Sequence, residues 1–153
     1  MSSAVEALDR AVTVHAPASL VYRWMCQLSL APYSYDFIDN WGRRSPRRLV
    51  PGSDELTVGQ RMMVFVLADV QPGHQFSLRS HPSVERLFGR LAATYAAESV
   101  SPAECRLICR ILTDDTGILR GPLLAWGDLV MMRKQLLNFK KYAERDNRVR
   151  TAG

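Results

Sequence analysis

Hydrophobic positions recur along this chain with two different periods, and the change of period divides it. From Pro122 to Asp146, Leu129, Met132, Leu136, Phe139 and Ala143 fall within about 80° of one another at 100° per residue. The spacing predicts one long helix, roughly 35 Å from end to end. Gly121 and Pro122 suit its start, because a proline at the first helical position gives up no needed donor. Each large side chain of the stripe is worth about 1.5–3 kcal/mol on burial. Such a helix needs a broad apolar surface to lie along.

Upstream the period is mostly two. After a frayed lead-in over residues 1–9, Arg10–His15 (RAVTVH) alternates and predicts a first strand. The run from Ala16 to Ser19, with Pro17, breaks it. Leu20, Trp24 and Leu28, beside Val21 and Met25, then repeat at helical spacing and predict a helix from about Ala18 to Gln27. Four more strands are predicted over Gln60–Val70, His74–His81, Leu91–Val100 and Cys105–Thr113, with Arg47–Val50 a candidate short strand. The links QPG, HPSVERLFGR, SPAE and DDTG read as turns. Links this short between neighbouring strands predict an antiparallel meander. The fold class is therefore α+β: an antiparallel sheet wrapped around a long C-terminal helix, with two short helices after the first strand. Residues 1–146 form one domain in this reading, and 147–153 a flexible tail.

Alternation also assigns faces. Phe76, Leu78 and Ser80 share one face of their strand, as do Ala93, Tyr95 and Ala97, and Cys105, Leu107, Cys109 and Ile111. Those sets point toward the long helix, with Arg106 and Arg110 opposite. Small residues set among aromatic ones leave space under a helix. From the helix, Trp126, Val130 and Leu137 form a shoulder beside the main stripe, and Arg133 lies between the two. A guanidinium there can hold a ligand's carboxylate or carbonyl oxygen.

The stretch APYSYDFIDNWGRRSPRR packs aromatics and aspartates between Tyr33 and Gly42. Asp36 can cap a short helix over Phe37–Trp41, with Gly42 ending it. Alternatively Tyr33, Tyr35, Asp36 and Trp41 surround the mouth of a pocket, the rings supplying area and the polar groups orientation. Both readings stand at this point.

Composition narrows the function classes. At 153 residues and 47% apolar, the chain suits one globular domain without staples. No apolar run is long enough to span a membrane, and the start MSSAVEALDR has no basic leader, so a cytoplasmic location is expected. The net charge is +5, and residues 121–153 carry most of it, seven Lys/Arg against three Asp/Glu; Arg43, Arg44, Arg47 and Arg48 form a second cluster. Such charge suits a solvated helix end as well as an acidic partner, and no specific nucleic acid is expected.

Three cysteines, Cys26, Cys105 and Cys109, match no metal-ligand spacing; the last two lie about 13 Å apart on a strand, too far for a disulfide. His15, His74 and His81 fall near strand ends. No phosphate loop, dinucleotide fingerprint or nucleophile elbow occurs, so neither metal nor cofactor is expected. An enzyme of this composition would move protons on a carbonyl compound, with Asp36 as base and Tyr35 or Tyr95 as oxyanion donor. Arg79 is a further candidate, although alternation points it outward.

The order of strand, two short helices, meander and long helix resembles the START-like, or SRPBCC, superfamily of polyketide cyclase/dehydrase-type helix-grip domains. The likeness rests on RAVTVHAPASLVYRWM, YSYDFIDNWGR, LTVGQRM and the helix ending LLNFKKYAERD, and it spans nearly the whole chain. The strands are fewer than in the larger members. The resemblance implies a deep apolar cavity between sheet and helix for a lipid, sterol, polyketide or similar ligand. The leading expectation is a binding protein, monomer or homodimer, for a hydrophobic or amphipathic small molecule. A cofactor-free cyclase, dehydratase or hydrolase using the same cavity comes second, and an interaction module acting through the basic surface third. The expected ligand contacts are Tyr33, Tyr35, Asp36, Trp41, Phe76, Leu78, Tyr95, Cys109, Trp126, Val130, Arg133 and Leu137.

Overall fold

A computed structural model of the chain describes residues 5–33, 43–114 and 122–153. In chain order the elements are β1 (Val5–Val14), α1 (Ala18–Cys26) with a 3₁₀ turn (Gln27–Ser29), β2 (Arg61–Met62), β3 (Phe65–Gln71), β4 (Gln75–Ser80), α2 (Pro82–Phe88), β5 (Leu91–Ser101), β6 (Glu104–Asp114) and α3 (Pro122–Thr151). Among the described residues the strands form one sheet in the order β1-β6-β5-β4-β3-β2, every neighbouring pair antiparallel. The meander expected from the short links is present. β1 closes it by returning to pair with β6, from Val5 opposite Asp114 to Val14 opposite Cys105.

Several boundaries differ from the sequence reading, each for a physical reason. β1 begins at Val5, because its upstream half gains a full ladder against β6 and an outward ion pair. There Arg110 donates to both carboxylate oxygens of Asp9, at 2.7 and 2.8 Å. The expected strand Gln60–Val70 is two strands joined by a two-residue turn at Met63 and Val64, where Met63 takes φ 59°. A positive φ at the first turn residue is the geometry that matches strand twist, and it normally calls for glycine. The Arg61 side chain, donating to Met63 O at 3.1 Å, and the His81 amide, donating to Val64 O at 3.0 Å, hold that turn.

HPSVERLFGR is a helix rather than a turn. His81 Nδ1 accepts from the Ser83 amide, Pro82 occupies the first helical position, and Gly89 at φ 74° ends α2. Residues 47–50 form no strand. α3 runs to Thr151, five residues past Asp146, so most of the expected tail is helical. Asn147 donates to His15 O, which ties the added turn to the end of β1. Arg148 and Arg150 suit a last turn that exposes carbonyl oxygens. Of the two short helices after β1, α1 and its 3₁₀ extension are present; the one expected over 37–41 lies outside the described residues.

The core sits between the sheet's inner face, α1 and α3. Met132, Leu136, Phe139 and Ala143 are buried, as the stripe required. They meet Leu20, Trp24 and Met25 of α1 and the inward strand residues in one cluster. Trp24 stacks on Tyr142 with ring centres 5.0 Å apart, and its Nε1 donates to Asp146 at 3.1 Å. Arg145 lies over the Tyr142 ring at 5.2 Å and donates to Arg47 O at 2.7 Å. That contact brings the two basic clusters of the sequence side by side.

Candidate functional site

The inner wall of the sheet brings four of the expected contacts together. Phe76 and Leu78 lie on β4, Tyr95 on β5 and Cys109 on β6, all buried on the face toward α3. Register enforces the grouping: Phe76 pairs with Tyr95, Leu78 with Ala93, and Tyr95 with Cys109. The Phe76 and Tyr95 rings stack at 5.5 Å, inclined by 27°. Around them Ala93 and Ala97 are short, so the wall alternates bulky and small side chains.

The Tyr95 hydroxyl stands amid this apolar surface. It donates to Gln135 Oε1 of α3 at 2.6 Å, and Gln135 Nε2 donates to Pro32 O at 2.6 Å. One turn further along α3, Asn138 Nδ2 donates to Tyr33 O at 2.8 Å. Two amides on one edge of the helix thus hold the backbone that leads out of α1, and one of them also holds the phenol. Sequence reasoning missed Gln135 and Asn138. Their signal is three-residue spacing along the border of the apolar stripe, where a polar side chain can reach a buried backbone group.

Electrostatics keep this interior neutral. Burial pushes the Tyr95 phenol well above its ordinary range, with Cys109 beside it adding to the shift. Burial likewise pushes the thiols of Cys26 and Cys109 up to about 12 and that of Cys105 up to about 11. The three cysteines are free, buried and protonated at neutral pH, and none is an activated nucleophile.

Other expected contacts lie elsewhere. Tyr33 is not at a mouth: it is 1% exposed, at φ 54°, with its ring 5.2 Å from Phe139. Its hydroxyl donates to Pro46 O at 2.6 Å and accepts from Gln27, a buried amide that also receives the Val50 amide and donates to Arg48 O. Tyr33 therefore pins the segment around residues 45–50 to α1. Val130, Arg133 and Leu137 are exposed, the two apolar ones at 45% and 41%. They sit roughly 120–180° around α3 from Phe139, beyond the arc that faces the sheet. Arg79 is outward, as alternation required. It borders a surface groove of about 570 Å³ with Arg90, Glu85 and Leu112. Tyr35, Asp36 and Trp41 lie outside the described residues. Trp126 falls on the first turns of α3, and its side chain lies outside them as well.

Among the described residues no three His, Cys, Asp or Glu side chains converge on a metal-sized site, and no helix is long and apolar enough to cross a membrane. No buried carboxylate or histidine occurs among them either. Among the described residues the arrangement offers an apolar wall with a phenol fixed on it by Gln135.

No protein-family model and no curated protein matches the chain. Solved structures do. Norcoclaurine synthase from Thalictrum flavum superposes with a TM-score of 0.56 at 13% identity, covering 88% of this chain and 86% of that one. Zhui aromatase/cyclase from a Streptomyces species gives 0.56 at 17% identity, covering 98% and 99%. A protein of Chromobacterium violaceum gives 0.57 at 14%, covering 90% and 96%. Identities this low speak to the backbone and not to the chemistry. Strand order, the helices after β1 and the long closing helix together give the chain the START-like (SRPBCC) helix-grip fold.

Proposed function

We propose that the protein binds an apolar or amphipathic small molecule between the inner face of the sheet and α3. The observation that carries this reading is the wall itself. Phe76, Leu78 and Tyr95 supply apolar area, Ala93, Ala97 and Cys109 are short, and an oriented hydroxyl supplies a polar contact. Proteins of the same fold support it. A norcoclaurine synthase structure holds dopamine and hydroxybenzaldehyde, both small aromatic compounds, and another neighbour is an aromatase/cyclase. Binding is preferred to catalysis here, because cofactor-free cyclisation or dehydration needs a positioned acid or base. The described interior has no buried carboxylate or histidine, and the Tyr95 proton is already engaged. A catalytic role would rest on Asp36, which lies outside the described residues.

A thermal-shift and fluorescence panel of fatty acids, sterols and aromatic polyketides tests the reading. At least one class raises the melting temperature of the wild type, and Tyr95→Trp weakens that binding by filling the space. Arg133→Ala leaves it unchanged, because Arg133 faces solvent. A wild type that no member of the panel shifts ends the proposal.

A further inference from the structure

The hydrogen bonds around Tyr95 fix which way its proton points, and this follows from one proline carbonyl. Pro32 O is an acceptor and nothing else. It lies 2.6 Å from one end of the Gln135 amide, and that end must be the NH₂ group, since the inverted amide would press two acceptors together. The other end, Oε1, therefore faces the Tyr95 hydroxyl at 2.6 Å. A carbonyl oxygen donates nothing, so the phenol donates to it. Asn138 donates to the neighbouring carbonyl of Tyr33 at 2.8 Å and supports the same backbone without touching the phenol or the Gln135 amide.

The phenol's register partner across the sheet is Cys109, directly opposite on β6. Burial keeps that thiol protonated. The phenol's own proton is spent on Gln135, so it has none to give the thiol or a ligand. A phenol oxygen that has given its one proton has only lone pairs left to offer.

We propose that Tyr95 offers a ligand only an acceptor, so that the interior selects molecules carrying a hydroxyl or N–H group over their ether or ketone analogues, with Gln135 as the positioning residue. This rests on the reading that the ligand lies against the sheet's inner wall, and it names the chemical class that wall admits. A site built around one fixed acceptor discriminates by leaving the wrong partner unpaired: an ether oxygen brought to Tyr95 meets a second acceptor and loses its water for nothing.

Naphthol and its methyl ether are the probes, titrated by intrinsic fluorescence into wild type, Tyr95→Phe, Gln135→Leu and Asn138→Ala. Wild type binds naphthol about tenfold tighter than the ether. Tyr95→Phe brings the two within about threefold, since the acceptor is gone while ring and space remain. Gln135→Leu does the same by freeing the phenol proton for the ether oxygen. Asn138→Ala loosens the same backbone but keeps the preference, which separates positioning from general support. Equal binding of both probes to wild type overturns the inference and leaves the interior site standing. So does a preference that survives Tyr95→Phe, because the hydroxyl is then read elsewhere or the ether is excluded by size. If neither probe binds wild type, the interior reading falls and takes this inference with it.

Discussion

A buried polar side chain must find partners or shed its charge, and this interior holds examples of each. Gln27 is fully buried, and its amide carries bonds to the Tyr33 hydroxyl, Arg48 O and the Val50 amide. Cys26, Cys105 and Cys109 instead stay neutral, and that has a consequence for stability at high pH. Their thiols are pushed by burial from 9.0 to about 12, 11 and 12. Below about pH 9 they are protonated in both folded and unfolded chains and contribute no pH dependence. Above it the unfolded thiols ionise while the folded ones resist, so stability falls as pH rises through the window up to the folded values. Urea titrations between neutral pH and about pH 10 will show that fall. Cys105→Ala will make it shallower by at most about 1.4 kcal/mol per pH unit. Stability that rises with pH over this window would contradict the burial of these groups.

At the scale of elements, α3 has one face in the core and the opposite face in water. Leu136→Ala should cost about 2–5 kcal/mol, the range for truncating a buried leucine. Lys141→Ala, on the exposed face, should cost under about 0.5 kcal/mol. Equal losses in denaturant titrations would mean that the helix is turned differently on the sheet. The β2–β3 turn carries a further prediction. Met63 holds a positive φ that costs a side-chain-bearing residue roughly 1–2 kcal/mol. Met63→Gly should therefore raise stability, by about 0.5–1 kcal/mol after the extra freedom glycine has in the unfolded chain. A loss of stability in the same titration would show that Met63 is held by packing.

Legibility in the sequence follows from these local forces. The stripe of α3 and the alternation of Phe76, Leu78, Tyr95 and Cys109 were readable because burial acts on one face at a time and leaves a period behind. α2 was not, because proline and glycine punctuate turns and also stand just inside the start and just past the end of a helix. The β2–β3 turn was hidden because Met63 sits where glycine would have announced it. Arg133, Val130 and Leu137 misled through nearness in sequence, since a few residues along a helix swing a side chain from core to solvent. Gln135 gave only an ambiguous sign, a polar residue on the border of the stripe. Its role depends on Pro32 and Tyr95, which are distant in sequence and adjacent only in the fold.

On the scale of the whole molecule, the sheet and α3 divide the work. The C-terminal turns of α3 are fastened to β1 and α1 through His15, Asn147, Asp146 and Trp24. Gln135 and Asn138 then hold the chain that leaves α1. The basic end of α3 and the Arg43–Arg48 cluster meet through the Arg145 contact on Arg47, at the fastened end. The proposed function requires that the interior admit one small apolar or amphipathic molecule. Native mass spectrometry tests it most directly, on the purified wild type alone and after incubation with the fatty acid, sterol and polyketide panel. A one-to-one complex that is released on collisional activation, and is absent from Tyr95→Trp, is the expected result. A wild type that flies only as the bare chain under every condition would contradict it.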